Sequence, residues 1–214
     1  MQNILPQDGI AYYYSAIIPS HKADFYYHQL MHQIAWEHDQ LVIFGKSITT
    51  MRKVAWHGDK QYAYRYSQNT KYARPWQPNL LALKKYVEQI SDTSFNTCLL
   101  NLYHDGSEGM GWHSDDEKEL SPNGVIASLS LGAVRKFSFK HKQTKETISH
   151  ILEHGSLLIM KGMTQTYWQH ALLKTKKIHT PRINLTFSHN HLILNLLHNH
   201  LWKHCGSKRQ RSYA

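Results

Sequence analysis

The chain has 214 residues, 41% of them hydrophobic, and 25 Lys and Arg against 15 Asp and Glu give a formal charge of +10. That length builds one domain with a real core, and that hydrophobic content excludes disorder throughout. No apolar run approaches membrane-spanning length, the two cysteines (Cys98 and Cys205) exclude a disulfide framework, and the charge favours a polyanionic partner.

The N-terminus lacks a basic stretch followed by an apolar one, so no signal peptide is expected. An intracellular, reducing compartment is expected: cytoplasm in a bacterium, nucleus in a eukaryote. Ala11 to Ile18 is apolar and aromatic and reads as a strand. Pro19-Ser20 opens a helix with Ser20 as N-cap, and Tyr26, Leu30 and Ile34 share one face of it. Leu41 to Gly45 is a short strand. A basic, hydroxyl-rich segment follows, and Trp56 to Asp59 signals a turn. In Tyr62 to Tyr66 the tyrosines line one strand face. That face is either core or a platform for stacking bases, and periodicity alone favours core. Pro78 starts an amphipathic helix with Leu80, Leu83, Val87 and Ile90 at helical spacing. The rest is β-rich: strands at Thr97–Tyr103, Val125–Leu131, Arg135–His141, Thr147–Leu152, Ser156–Met160, Thr164–Trp168 and Arg182–Phe187, with frequent turns. The pattern predicts a sandwich or jelly roll. After Phe187 the composition shifts to a His-rich, basic tail.

The segment Asn101 to Asp116, N-L-Y-H-D-G-S-E-G-M-G-W-H-S-D-D, runs from a strand through a Gly-rich loop to His113 and Asp115. In extended chain, residues two apart share a face, so an imidazole and a carboxylate stand side by side. They form two-thirds of a 2-His-1-carboxylate set for Fe(II), which His170 on a later strand completes. The same donors suit zinc. Arg182 lies on yet another strand, where a guanidinium can clamp a carboxylate.

H-x-D, a distal His and then Arg in a β-rich half resemble the Fe(II)/2-oxoglutarate dioxygenases. N-L-Y (101–103), H-S-D-D-E (113–117), I-A-S-L-S-L-G-A (126–133), H-G-S-L-L-I-M (154–160) and P-R-I-N-L-T-F (181–187) are similar to the AlkB family of nucleic-acid dealkylating enzymes. Upstream, I-F-G-K (43–46), R-K (52–53), Y-R-Y-S (64–67) and R-P-W (74–76) extend the likeness, closest to the subgroup that repairs duplex DNA. The resemblance implies a mainly β fold with flanking helices (α+β): a double-stranded β-helix, or jelly roll, with an N-terminal nucleotide-recognition lid. The expected division is helices and lid at 1–95, catalytic core at 96–187 and an atypical tail at 188–214.

It further implies His113, Asp115 and His170 as iron ligands, and Asn101, Tyr103 and Arg182 as contacts of 2-oxoglutarate. Asn184 and Thr186 alternate with Arg182 and line the same pocket. O2 is the second cosubstrate. Tyr64 and Tyr66, with Arg65 on the opposite strand face, match the segment that holds the damaged base, and Asp116 and Glu117 match acidic residues beside it. Ile43, Phe44 and Gly45 match a finger that fills the gap left by a flipped base. Lys46, Arg52, Lys53 and Arg135 are candidates for phosphate contacts. The implied activity is oxidative demethylation of 1-methyladenine- and 3-methylcytosine-type bases in alkylated DNA, as a monomer acting on duplex. RNA is the alternative substrate. One departure stands out: Ser188 occupies the place of the family's second pocket Arg, which raises the alternative of a weakly active nucleic-acid-binding relative.

Overall fold

The computed structural model describes residues 2–190 apart from 44–45, 62, 67–68, 117–119 and 122. Thirteen strands and three helices are named in it. They are β1 (Ile10–Tyr14), α1 (Ser20–Gln33), β2 (Glu37–Ile43), β3 (Lys46–Gly58), β4 (Ala63–Tyr66), β5 (Asn69–Tyr72), α2 (Pro78–Ser91), β6 (Thr97–Tyr103) and β7 (Met110–His113). Then come β8 (Ile126–Gly132), β9 (Arg135–His141), β10 (Thr147–Leu152), β11 (Ser156–Lys161), α3 (Thr164–Tyr167), β12 (Trp168–Leu172) and β13 (Arg182–Ser188). No helix among the described residues is long and apolar enough to cross a membrane.

The major sheet runs β1-β11-β8-β13-β6-β3-β2, the minor sheet β10-β9-β12-β7, and β4 and β5 form a two-stranded sheet. From β6 to β13 the chain passes back and forth between the two larger sheets, which is the jelly roll. One core lies between them, where Phe137, Phe139, Leu158, Met160, Trp168 and Leu172 meet. A second lies on the other face of the major sheet, where Leu30 of α1 and Leu80, Leu83 and Val87 of α2 pack on Leu100, Leu129 and Leu185. A strand covered on both faces has no solvent side to alternate with. Hence I-A-S-L-S-L in β8 is buried at every position, whereas edge strand β10 alternates in exposure.

Several elements differ from the reading of the sequence. Ser20 is the first helical residue, not the cap; Pro19 takes that place, and its carbonyl accepts the N–H groups of Lys22 and Ala23. The basic segment after residue 45 is the long strand β3. Trp56 to Gly58 belong to it, pairing with Leu99 to Thr97, and the turn comes only at Asp59. Thr164 to Tyr167 form a helical turn, so the strand that carries His170 starts at Trp168.

Arg135 is also not where a phosphate contact needs it. It is buried, and its guanidinium donates to the carbonyls of Asp105 (3.2 Å), Glu108 (2.9 Å) and Leu173 (3.1 Å). It thus ties the Gly-rich loop after β6 to the loop after β12. The glycines serve the same contact, because a Cβ at Gly109 would overlap the Leu172 carbonyl oxygen. Arg135→Ala would leave these carbonyls without their charged donor. We expect a loss of about 2–4 kcal/mol in urea unfolding, from several hydrogen bonds to one buried charge. A loss within 0.5 kcal/mol would mean that water replaces the side chain.

Candidate active site

His113 ends β7 and His170 sits directly opposite it on β12. A bulge between His170 and Leu172 interrupts the ladder there. The His113 Nδ1 donates to the Gly111 carbonyl at 2.8 Å, because a carbonyl can only accept, and this turns Nε2 toward the cavity. The two imidazole rings are 4.3 Å apart. Phe137 stacks on the His170 ring at 5.4 Å.

Asp115 lies in the loop beyond β7, and its carboxylate reaches between the rings. One oxygen is 3.6 Å from His113 Nε2 and the other 3.6 Å from His170 Nε2. Among the described residues this is the one group of three or more such donors that converges, with ligand atoms within 4.8 Å of one another. Burial pushes the Asp115 carboxyl up and the His170 imidazole well below its usual value. Two neutral imidazoles and a carboxylate on one side of a point are what Fe(II) takes while leaving positions open for cosubstrates. The residues present therefore fit the metal.

The donors open into a cavity of about 400 Å³. Its wall on the major sheet is ordered in rows by strand pairing. Tyr103 faces Arg182, Asn101 faces Asn184, and Leu99 faces Thr186. All five expected cosubstrate residues line the cavity, as does Asp116, whose exposed carboxylate is 3.9 Å from Lys142 Nζ. Asn184 donates to the Ser128 hydroxyl at 2.8 Å, and Thr186 to Asn184 Oδ1 at 3.3 Å.

Arg182 is the electrostatic centre of this wall. It is buried, donates to the Ser130 hydroxyl at 2.9 Å and lies 5.8 Å from the centre of the Tyr103 ring. No carboxylate pairs with it among the described residues, and the neighbouring cation is Arg135. Burial lowers its pKa to about 10, so it stays charged at neutral pH. Its Nε, Asn101 Oδ1 and His170 Nδ1 have no hydrogen-bond partner among the described residues. A buried cation with a free Nε–H and no carboxylate partner fits an anionic occupant, whereas Asn101 Oδ1, an acceptor, calls for a donor.

The sequence reading missed part of this wall. Arg52, expected at a phosphate, is buried and pairs with Asp39 at 2.9 Å, while its other nitrogen is 3.1 Å from Met110 Sδ. Both charged residues line the cavity. The usable signal was alternation: Arg52 and Val54 share the face that Asn101 and Tyr103 present. Ser188 pairs with Thr97 at the end of the Arg182 face, its hydroxyl 3.1 Å from that of Thr97, and does not line the cavity. Phe44, Gly45, Glu117 and residues 191–214 lie outside the described residues. So do the side chains of Ile43, Lys46, Tyr64, Arg65 and Tyr66.

Residues 10–187 match the family model of the 2OG-Fe(II) oxygenase superfamily. The chain is 36% identical over 194 residues to the mouse DNA oxidative demethylase ALKBH2, covering 86% of this chain and 81% of that one. It is 36% identical to the human ALKBH2 over 191 residues, or 84% of this chain and 73% of that one. The cattle alkB homolog 3, an alpha-ketoglutarate-dependent dioxygenase, is 38% identical over 176 residues, or 78% of this chain and 61% of that one. The chain belongs to the AlkB family. This AlkB-family protein is thus a dioxygenase that uses Fe(II), 2-oxoglutarate and O2. Its fold is similar to the solved structure of OsALKBH1, with a TM-score of 0.58 at 18% identity over 83% of this chain and 97% of that one.

Proposed function

We propose that this chain removes N-alkyl groups oxidatively from DNA bases of the 1-methyladenine and 3-methylcytosine type, acting on duplex. The observation that carries the reading is one cavity holding both the His–Asp–His donors and the buried, unpaired guanidinium of Arg182. Similarity to proteins named DNA oxidative demethylases supports DNA as the substrate.

In this reading His113, Asp115 and His170 hold Fe(II), which with 2-oxoglutarate and O2 supplies the oxidant for an N-methyl carbon; the hydroxylated methyl then leaves as formaldehyde. Arg182 binds the far carboxylate of 2-oxoglutarate, with Asn101 and Tyr103 beside it. The hydrophobic walls at Phe137, Met110 and Leu172 keep bulk water from the reacting carbon. A base in a duplex has to leave the stack to reach this depth. Methylation at the pairing edge weakens pairing and leaves the base cationic, so Tyr64, Tyr66 and the carboxylates of Asp116 and Glu117 select it by charge and stacking. With Arg52 and Arg135 buried, the phosphates fall to exposed lysines. The loop after cavity residue Leu172 carries three, Lys174, Lys176 and Lys177.

Mass spectrometry of a methylated duplex after aerobic incubation with Fe(II) and 2-oxoglutarate tests the proposal. Loss of the mass of one CH2 per lesion, as methyl is replaced by hydrogen, with stoichiometric succinate is the expected result. An unchanged duplex beside an active methylated RNA would transfer the reading to RNA. The duplex preference has its own prediction. Phe44→Ala should slow repair of duplex about tenfold and of single strands by less than twofold, since only a duplex has a stack to refill. Equal losses on both substrates would remove the wedge role.

A further inference from the structure

The loop that carries Asp115 is fastened to the chain segment that carries His170. The Asp115 backbone N–H donates to Gln165 Oε1 at 2.9 Å, and the Ser114 hydroxyl donates to the Trp168 carbonyl at 3.0 Å. Asp115 lies past the end of β7, so no ladder fixes its backbone. Its N–H is oriented by one side chain, and that side chain belongs to α3, five residues before His170.

A single helical turn is not stable alone, so α3 must be held from outside. Its Thr164 hydroxyl accepts the N–H of Ile10 at 2.9 Å and lies 2.7 Å from the Lys161 carbonyl. On the other side, Lys142 Nζ donates to the Gln165 carbonyl at 2.8 Å, and the Lys142 N–H donates to the Tyr167 carbonyl at 2.7 Å. The turn is therefore tied to β1, β11 and the end of β9. Gln165 itself is half-buried and does not line the cavity, and its Nε2 lies 3.6 Å from Met160 Sδ.

We propose that Gln165 is a positioning residue for the metal ligand Asp115: its side-chain carbonyl holds the Asp115 backbone so that the carboxylate stays between the two imidazoles. The inference rests on the reading of Asp115 as a ligand. The donors come from segments more than 50 residues apart in sequence, roughly the separation that pairing β7 with β12 alone must bridge. Gln165 adds a direct tie between the carboxylate's own residue and the His170 segment. Groups that orient ligands in this way typically change metal affinity ten- to a hundredfold when lost.

Mn(II) is titrated into the full-length apo protein without oxygen, and free Mn(II) is read by electron paramagnetic resonance. Gln165→Met keeps the length of the side chain and removes the acceptor; it should weaken Mn(II) binding by about tenfold or more. It should also lower kcat for a methylated duplex with little change in its KM. Gln165→Glu keeps an acceptor oxygen and should return Mn(II) affinity to within about threefold of wild type. Thermal unfolding of each apo variant is measured alongside, and Gln165→Ala replaces the Met variant if that one does not fold. Wild-type Mn(II) affinity in Gln165→Met or Gln165→Ala, with Asp115→Ala losing Mn(II), would overturn the positioning role alone. Wild-type affinity in Asp115→Ala as well would overturn the ligand reading beneath it.

Discussion

Replacing any one of His113, Asp115 and His170 with alanine should reduce turnover to below about one-thousandth of wild type and weaken Fe(II) binding. Bound metal supplies several kcal/mol of transition-state stabilisation, and each 1.4 kcal/mol is a factor of ten in rate. The set has no spare member. Among the described residues no further His, Cys, Asp or Glu joins the three, and neighbouring Asp116 is exposed near Lys142. The variants should differ in stability. Asp115 sits in a loop and His113 at a strand end, but His170 is buried against Phe137 and Phe139, so its removal leaves a hole in the core. Succinate release and Fe(II) titration check the expectation. Near-normal turnover in any of the three would refute the ligand set.

Arg182→Met should have two effects of opposite sign. Affinity for 2-oxoglutarate should fall by about a hundred- to several thousandfold, because truncating one partner of a buried charge pair costs roughly 3–5 kcal/mol. The apo protein, however, should become more stable. The fully buried guanidinium has its pKa lowered to about 10 by desolvation, which corresponds to a penalty on the order of 3 kcal/mol on the folded state. For a cation with a lowered folded pKa, that penalty is complete below about pH 10 and fades only as pH rises toward the unfolded value. It therefore applies in full at neutral pH, and methionine removes it. Anaerobic 2-oxoglutarate titration and urea unfolding of the same two proteins measure both effects. A less stable Arg182→Met apo protein would mean that the cation is already compensated before cosubstrate arrives.

The parts of this architecture that were legible in the sequence are those where burial is one-sided or where a chemical pattern repeats. β6 and β9 have the boundaries that their sequences indicate, and α2 begins at the proline that fits a first turn. On β13, Asn184 and Thr186 followed from period-two alternation with Arg182, whose role the family resemblance implied. What was not legible has a common physical cause: charged groups used inside. Arg52 and Arg135 read as surface cations because nothing local reveals the Asp39 carboxylate or the three backbone carbonyls that receive them. β3 looked like a polar connection because part of its inner face borders a polar cavity rather than a core. α3 has a β-prone sequence, T-Q-T-Y, and is helical only because distant groups hold its hydroxyl and its carbonyls.

The place of β13 in the major sheet sets a condition on how the chain can fold. It lies between β8 and β6, yet it is the last of the named strands to leave the ribosome. Without it the sheet would fall into two halves, β1-β11-β8 and β6-β3-β2, each with an open edge where β13 docks. Apolar edges of that kind are sites for pairing with other chains. Closing them brings β13 against β6, some eighty residues earlier, and such distant contacts form slowly. A chain ending before residue 182 should therefore be prone to self-association at those edges. Those same residues deliver Arg182, so the sheet closes and the cosubstrate site acquires its cation in one event.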